Sequence, residues 1–361
     1  MSAKLTAGRR IAKTAIACMM LAVLAGCFND DSKFRRIALS VDVSPSGDLA
    51  AVRYSRDGVE TIDLSSNTRK CHWSVGGIQY QGIATFSSSG ELVAVGNEQL
   101  GPALWGIIHE IFLYDPVNCD RVQAIPLGDF SEGHVLRFSP DDKFMAVASK
   151  KQLFRTGVNL AIIEVESGKT IKRWTYLDAE HPSLSLSDDG TLLVFGFKNL
   201  NSKTDDKHVK SDNDTGTVLL VEFPSGDERS EWQEDTGNGV VAIDIALDQE
   251  IVALGFQDGT VKLVHYPTGE NRVLHKFDTM AIDVQFSPSN DLIFSCESKS
   301  DGSLVSHQTH TGEQVHNFSV QMPIFDFDLT DDGKSAVIGT SSGEIETVDL
   351  DKSPASDRQA Q

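Results

Sequence analysis

Charged side chains recur at one position of a short phrase that returns seven times along the chain. Asp42, Arg137, Asp244 and Asp328 each stand two residues before a small residue of that phrase. Side chains at equivalent positions of a repeat can face a common centre, where convergent carboxylates would bind a cation or another small ligand. The alternative is a structural ring whose side chains hydrogen-bond between neighbouring repeats. The sequence leaves both interpretations open.

Motifs that would signal other chemistry are weak. The chain has no metalloprotease His-Glu-x-x-His, no P-loop and no haem-attachment Cys-x-x-Cys-His. His307, His310 and His316 are close in sequence, but the first two would point to opposite faces of a strand, which does not favour zinc. Asp212 and Asp214 resemble part of a calcium loop that lacks its closing glutamate. We therefore predict no catalytic residues, no metal site and no cofactor.

The chain is strongly acidic. It carries 52 Asp and Glu against 32 Lys and Arg, a formal net charge of −20. Such a surface repels nucleic acid and anionic headgroups, and it opposes self-association. We expect no nucleic-acid partner and a monomeric protein.

The repeat identifies the elements that would position the charged ring. Its small residues are Ser44, Ser87, Ser139, Ser187, Ala246, Ser287 and Thr330. They lie 41 to 59 residues apart, and in every copy the residues one and three before the small residue are apolar while the one between is polar. Strict alternation is the pattern of a β-strand with one packed face.

Each copy continues through a turn rich in Pro, Asp, Ser and Gly into three further strands, the last often aromatic. Four short strands in roughly 40 to 50 residues form the blade of a β-propeller. We predict an all-β, seven-bladed β-propeller of four-stranded antiparallel blades over residues 33–352, with a polar tail over 353–361. Because no fourth strand follows Leu350, residues 33–39 are predicted to be the outer strand of the last blade and to close the ring.

The repeated phrases resemble those of WD-repeat and YVTN-type propellers. The stretch GFQDGTVKLVHYPTGE (255–270) is similar to the Asp-Gly-Thr turn and following strand of that family. Gly133-His134 occupies the place of the family's Gly-His dipeptide, whereas the Trp-Asp dipeptide is missing from every copy. The resemblance covers nearly all of residues 33–352 and implies the propeller fold. It does not identify an activity.

The N-terminal segment indicates export. Basic residues precede an apolar run, Thr14 to Gly26, that is too short to span a bilayer as a helix. The run ends in Leu24-Ala25-Gly26-Cys27, which resembles the lipobox of bacterial lipoproteins. The resemblance implies a signal peptide over 1–26, lipidation of Cys27 and a lipidated linker over 27–32. The alternative is an ordinary signal peptide with a chance cysteine.

The lipobox also implies a cellular location. Because Phe28 rather than Asp follows Cys27, we expect an outer-membrane lipoprotein that faces the periplasm. Removal of residues 1–26 would take away four positive charges and no negative one, changing the formal charge from −20 to −24.

Three further cysteines would remain in the exported chain. Cys71 and Cys119 are predicted at like ends of neighbouring blades, and an oxidising compartment permits a disulfide between them. Sequence alone does not give the Cα separation that a bridge needs. Cys296 lies in an apolar strand and is predicted to be a buried free thiol.

Two insertions interrupt the repeat. The stretch 198–216 is charged and is predicted to be a surface loop, whereas 99–110 is apolar and contains Leu104, Trp105, Ile107 and Ile108. Such an insertion could dock a partner, with Trp105 as its anchor. The alternatives are a loop folded over the blade, or an early extension of the third strand with its apolar face buried.

These features favour a lipid-anchored propeller that acts as a scaffold for another envelope protein and reaches the membrane through its anchor. The alternatives are a propeller enzyme with its site at the mouth of the channel, and a protein that binds a small ligand or cation there.

Overall fold

Short antiparallel strands fill the computed structural model of this chain. The structure describes residues 36–55, 57–75, 83–100, 107–128, 135–151, 156–200, 215–234, 239–297 and 299–351. Within these ranges it contains 27 strands and one short 3₁₀ helix.

The strands form seven separate antiparallel sheets in chain order. Blade one holds β1 (Ala38–Val43), β2 (Leu49–Tyr54), β3 (Gly58–Asp63) and β4 (Thr68–Trp73). Blade two holds β5 (Ala84–Phe86), β6 (Val93–Leu100), β7 (Ile107–Tyr114) and β8 (Arg121–Pro126). Blade three holds β9 (Val135–Phe138), β10 (Phe144–Lys151), β11 (Gly157–Glu164) and β12 (Thr170–Leu177). Blade four holds β13 (Ala179–Leu186), β14 (Leu192–Asn199), β15 (Thr215–Glu222) and β16 (Glu228–Glu234).

The remaining blades follow the same plan. Blade five holds β17 (Val240–Ala246), β18 (Ile251–Phe256), β19 (Thr260–His265) and β20 (Glu270–Lys276). Blade six holds β21 (Ala281–Phe286), β22 (Leu292–Glu297), β23 (Gly302–Gln308) and β24 (Gln314–Val320). Blade seven holds β25 (Ile324–Leu329), β26 (Ser335–Thr340) and β27 (Ile345–Asp349) within the described residues.

The first strand of each blade contacts the first strand of the next, and β25 contacts β1, so the sheets form a closed ring. The prediction of an all-β, seven-bladed β-propeller is therefore confirmed. The ring places the first strands around the axis and the fourth strands at the rim.

The small residue of the repeat closes the turn between the first two strands. In six blades its hydroxyl accepts a hydrogen bond from the backbone N–H five residues later, at 2.9 to 3.1 Å. In Ser139, Ser187 and Thr330 the same hydroxyl donates to an aspartate two residues later. A serine or threonine with a following aspartate therefore stabilises the turn from both sides.

Blade five shows what happens without the hydroxyl. Ala246 cannot accept this bond, and the turn that follows is the 3₁₀ helix Leu247–Gln249. The helix ends at Glu250, which has a φ of +56°, a left-handed conformation that is unusual for a residue with a Cβ.

The hydrophobic core is distributed over the seams between blades. Seven buried apolar clusters occur in the described residues, and each combines side chains of two neighbouring blades. One of them packs Val337 of blade seven against Val41 and Val43 of blade one. Burial of apolar surface at every seam therefore holds the ring together.

The closing strand predicted over residues 33–39 is corrected at one end. Ala38 already belongs to β1, where it pairs with Tyr54 of blade one. Residues 33–35 lie outside the described residues. Arg36 lies close to Gly343, which comes just before β27. A Cβ added to Gly343 would be 2.0 Å from the Arg36 backbone oxygen. In blade one, a Cβ added to Gly58 would likewise be 2.1 Å from the backbone oxygen of Trp73, the last residue of the fourth strand β4. Arg36 therefore occupies the place where the fourth strand of blade seven would end.

Candidate functional site

The first strands converge on a small polar cavity at the centre of the ring. The cavity has a volume of about 130 Å³, and its described lining includes Asp42, Arg137 and Asp328 from the predicted set. At roughly 30 Å³ per molecule, it has room for about four waters. It is therefore too small for a typical organic ligand, whose sites occupy about 300–1,000 Å³.

Each predicted aspartate links two blades. Asp42 accepts a hydrogen bond from the backbone N–H of Phe86 at 2.6 Å, Asp244 from that of Phe286 at 2.7 Å, and Asp328 from that of Val43 at 2.6 Å. The acceptor stands two residues before the small residue of one blade, and the donor stands one residue before that of another. A first strand has no partner on its inner edge, so these carboxylates satisfy N–H groups that would otherwise be unpaired.

Two further aspartates of the site were not predicted. Asp283 and Asp326 line the cavity four residues before the small residue of blades six and seven. Asp326 accepts from the backbone N–H of Val41 at 2.9 Å, and Asp283 accepts from the side chain of Gln285 at 3.1 Å. The signal was the period of two along a strand, which puts residues two and four before the small residue on one face.

Burial makes these carboxylates hard to ionise. Loss of hydration raises the pKa of Asp42 to about 6 and that of Asp283 to about 7, although Arg137 acts in the opposite direction on both. Burial also raises the pKa of Asp244, Asp326 and Asp328, and neighbouring aspartates add to the effect for the last two. The ring therefore takes up protons near neutral pH.

Arg137 is the basic side chain in the described lining of the cavity, and its Nη1 donates to the backbone oxygen of Leu136 at 2.9 Å. Its positive charge lowers the pKa of all five aspartates of the ring. One guanidinium thus offsets part of the repulsion among five acidic groups.

The described residues contain no group of three or more His, Cys, Asp or Glu side chains placed to bind a metal ion. His307 lies on β23 and is buried with 2% of its surface exposed, while His310 lies in the turn after β23 and is exposed. The possible calcium-loop aspartates Asp212 and Asp214 lie outside the described residues.

Cys71 and Cys119 are joined by a disulfide, with an S–S distance of 2.00 Å and a Cα separation of 5.4 Å. It connects β4 of blade one with the turn before β8 of blade two. In the same region the Trp73 Nε1 donates to the Cys119 oxygen at 2.9 Å, and its ring stacks on Tyr114. Cys296 is a buried free thiol, as predicted.

The apolar insertion of blade two is partly strand. Ile107 and Ile108 belong to β7 and pair with Leu100 and Gln99 of β6. They are therefore strand residues, which is the early extension of the third strand that the sequence left open. Leu104 and Trp105 lie outside the described residues.

Residues 339–343 read Gly-Thr-Ser-Ser-Gly, a spacing that matches a hydrolase nucleophile elbow. That elbow requires a turn from a strand into a helix. Ser341 instead lies in the turn between the antiparallel strands β26 and β27, so the structural context of the elbow is missing.

Large apolar side chains are exposed mainly in one sector of the rim. Val117, Val122, Ile171 and Leu177, four of the six found in the described residues, lie on blades two and three. The other two are Val273 on blade five and Val315 on blade six.

Cys27 lies outside the described residues. Among the residues that the structure describes, no helix is long and apolar enough to cross a membrane. No protein-family model matches this chain, and no curated protein matches it at a significant level.

Proposed function

We propose that this chain is an exported lipoprotein, anchored at Cys27 in the outer membrane, whose propeller binds another protein of the cell envelope. The observation that carries the binding role is the sector of exposed apolar side chains on blades two and three. Val122 and Ile171 are 59% and 41% exposed at equivalent positions of β8 and β12. Exposed apolar groups on the outer strands of neighbouring blades favour a partner that covers them.

The same sector differs from the rest of the ring in a second way. The central hairpins β6–β7, β10–β11 and β14–β15 of blades two to four have eight residues in each strand. The corresponding strands of the other blades have five to seven. Rigid strands that project from one part of a propeller are a suitable frame for a protein interface.

Crosslinking in intact cells, followed by purification and mass spectrometry, tests the interaction. We expect reproducible partners with the wild-type chain and their loss with Val122→Asp combined with Ile171→Asp. Val273→Asp is the matched control, because Val273 is 61% exposed on an outer strand of blade five. Recovery of no reproducible protein, or an unchanged set with the double variant, would refute this role.

The anchor has a separate test. Cys27→Ser should move the protein from the membrane pellet to the soluble periplasmic fraction, because lipid chains supply the membrane affinity. Continued pelleting of that variant would contradict lipid anchoring.

A second candidate function is binding of a small cation in the channel. Four carboxylates and one guanidinium line the described part of the cavity, so a cation would relieve their repulsion. Calorimetry at pH 8 with calcium, magnesium and methylammonium tests it, with Asp326→Asn as the comparison. Heat that saturates in the wild type and falls in the variant would support it, and an absence of saturable heat would exclude these cations.

A further inference from the structure

In the described part of the ring, grooves lie at three seams: between blades four and five, five and six, and six and seven. Between blades four and five runs a groove of about 480 Å³, lined by Trp232 of β16 and by Lys262, Tyr266 and Asn271 of blade five. This volume lies within the range of about 300–1,000 Å³ that is usual for small-molecule sites.

Two other seams show what covers the corresponding position elsewhere in the ring. Trp73, Ile125, Trp174, Trp232, His275 and Phe318 occupy the same register position in their fourth strands. At the seams between blades two and three and between blades three and four, the turn before the next blade's fourth strand packs at this position. A Cβ on Gly168 would be 3.6 Å from the Ile125 side chain, and one on Gly226 would be 2.8 Å from the Trp174 ring.

The equivalent turn of blade five stands away from Trp232. A Cβ on Gly269 would meet no atom within 4 Å, although Gly269 also lines the groove. Trp232 is therefore not covered by this turn, whereas Gly226 packs on Trp174 at the seam between blades three and four.

The floor of the groove is electrically balanced. Lys262 Nζ lies 2.5 Å from Glu234 Oε2, and both side chains are largely buried, with 12% and 7% exposed. The Trp232 Nε1 donates to the other oxygen of Glu234 at 3.2 Å. Because the buried charges neutralise each other, the floor offers little attraction to a strongly anionic or cationic ligand.

The walls combine aromatic surface with neutral hydrogen-bonding groups and the exposed carboxylate of Glu231, which can accept hydrogen bonds from hydroxyl groups. Trp232 and Tyr266 supply ring surface, while Ser230 and Asn271 supply a hydroxyl and an amide. Among the hydrogen bonds of the described residues, neither the Ser230 nor the Tyr266 hydroxyl has a protein partner. This combination suits a ligand with apolar C–H faces and many neutral hydroxyl groups.

We propose that the groove between blades four and five binds a neutral saccharide, with a sugar ring against Trp232 and Tyr266. Its hydroxyl groups bond to Ser230, Asn271 and the free N–H groups of Lys262. The site lies outside the channel and outside the apolar sector of blades two and three.

Binding of neutral trisaccharides to the purified full chain tests this assignment. The probes are maltotriose, cellotriose and triacetylchitotriose, each titrated to about 10 mM, ten times a Kd of about 1 mM. We expect at least one to bind saturably by calorimetry and to change tryptophan fluorescence. Absence of saturable binding by all three would overturn the proposal.

Variants locate the site. Trp232→Ala should weaken binding at least about tenfold, while Trp232→Phe, which keeps a ring, should retain most of it. Trp174→Ala is the matched control, because Trp174 holds the same register position on β12 and is packed beneath Gly226. If Trp232→Ala does not fold, Tyr266→Ala takes its place. Equal affinity in the wild type and in the folded groove variant would overturn the proposal, as would tighter binding of a sulfated trisaccharide than of its neutral parent.

Discussion

The buried aspartates around the axis satisfy edge N–H groups, and they resist ionisation while doing so. The folded-state pKa of Asp283 is raised to about 7 from an ordinary 3.8. A raised carboxyl pKa means that its stabilising contribution is present below about pH 4 and is lost as the pH rises through 7. The ring should therefore reduce the free energy of unfolding on the alkaline side.

Replacement of Asp283 by Asn removes this cost. We expect Asp283→Asn to raise the free energy of unfolding by about 1 kcal/mol or more at pH 8 and to have a smaller effect at pH 5. Urea unfolding at the two pH values measures it. Asp278→Asn is the control, since Asp278 is exposed and forms only a surface ion pair with Lys299. A loss of stability of Asp283→Asn at pH 8 would contradict this account.

At the seam between blades five and six, the buried His307 should give the free energy of unfolding the opposite pH dependence. Its ring centre lies 5.3 Å from that of His275, and its Nδ1 is buried without a hydrogen bond. Burial, with a contribution from His275, lowers the pKa of His307 to about 4. Glu297 is the acidic group that favours a charged His275, whose pKa burial also lowers.

A lowered histidine pKa contributes stability above about pH 6.5 that is lost as the pH falls toward 4. His307→Phe should therefore make the acid loss shallower, by about 1 kcal/mol between pH 6.5 and 4.5. Thermal melts across this range give the measurement, with the exposed His310→Gln as the control. Parallel pH profiles for the wild type and His307→Phe would show that His307 does not titrate in the folded protein.

At the scale of strands and turns, the sequence predicted what depends on local chemistry. The serine or threonine of the repeat was recognised as part of a turn because its hydroxyl and the following aspartate act within a few residues. The lengths of the hairpins in blades two to four were not recognised, because Ile107 and Ile108 read equally well as loop or strand. In blade five, His275 holds the register position that Trp232 holds in blade four.

The disulfide covalently links β4 of blade one to the turn before β8 of blade two. Cys71 and Cys119 are 48 residues apart, for which the loop-entropy model gives about 4 kcal/mol of stabilisation. We expect reductant to lower the melting temperature of the wild type and to leave Cys71→Ala combined with Cys119→Ala unaffected, at its already lower value. Cys296→Ala should keep the response to reductant. Alkylation of Cys71 in the folded, unreduced protein would contradict the bridge.

At the scale of the molecule, the number of blades followed from counting copies, because each copy supplies one first strand. The cavity did not follow, because Asp283 and Asp326 approach Asp42 only when distant blades close into a ring. The open groove beside Trp232 depends on a gap left by Gly269 in the next blade, and no local pattern records such a gap.

The seam between blades seven and one determines whether the ring stays closed. The described part of blade seven has three strands, and the Arg36 oxygen meets Gly343 as the end of a fourth strand would. Arg36 is also bound to blade one, where it pairs with Asp57 at 3.0 Å and stacks on Tyr54. The chain entering β1 therefore contacts both blades of the seam.

Two changes should open this seam. If the predicted closing strand pairs with β27, deletion of residues 28–35 should lower the melting temperature by many degrees. Gly343→Ala should destabilise the chain as well, by about 1 kcal/mol or more, because Gly343 has a φ of +79° and its new Cβ would strike the Arg36 oxygen. Deletion of residues 353–361 is the matched control and should leave the melt unchanged. If the N-terminal deletion melts like the wild type, the ring closes through the contacts of β25 and β26 with β1 alone.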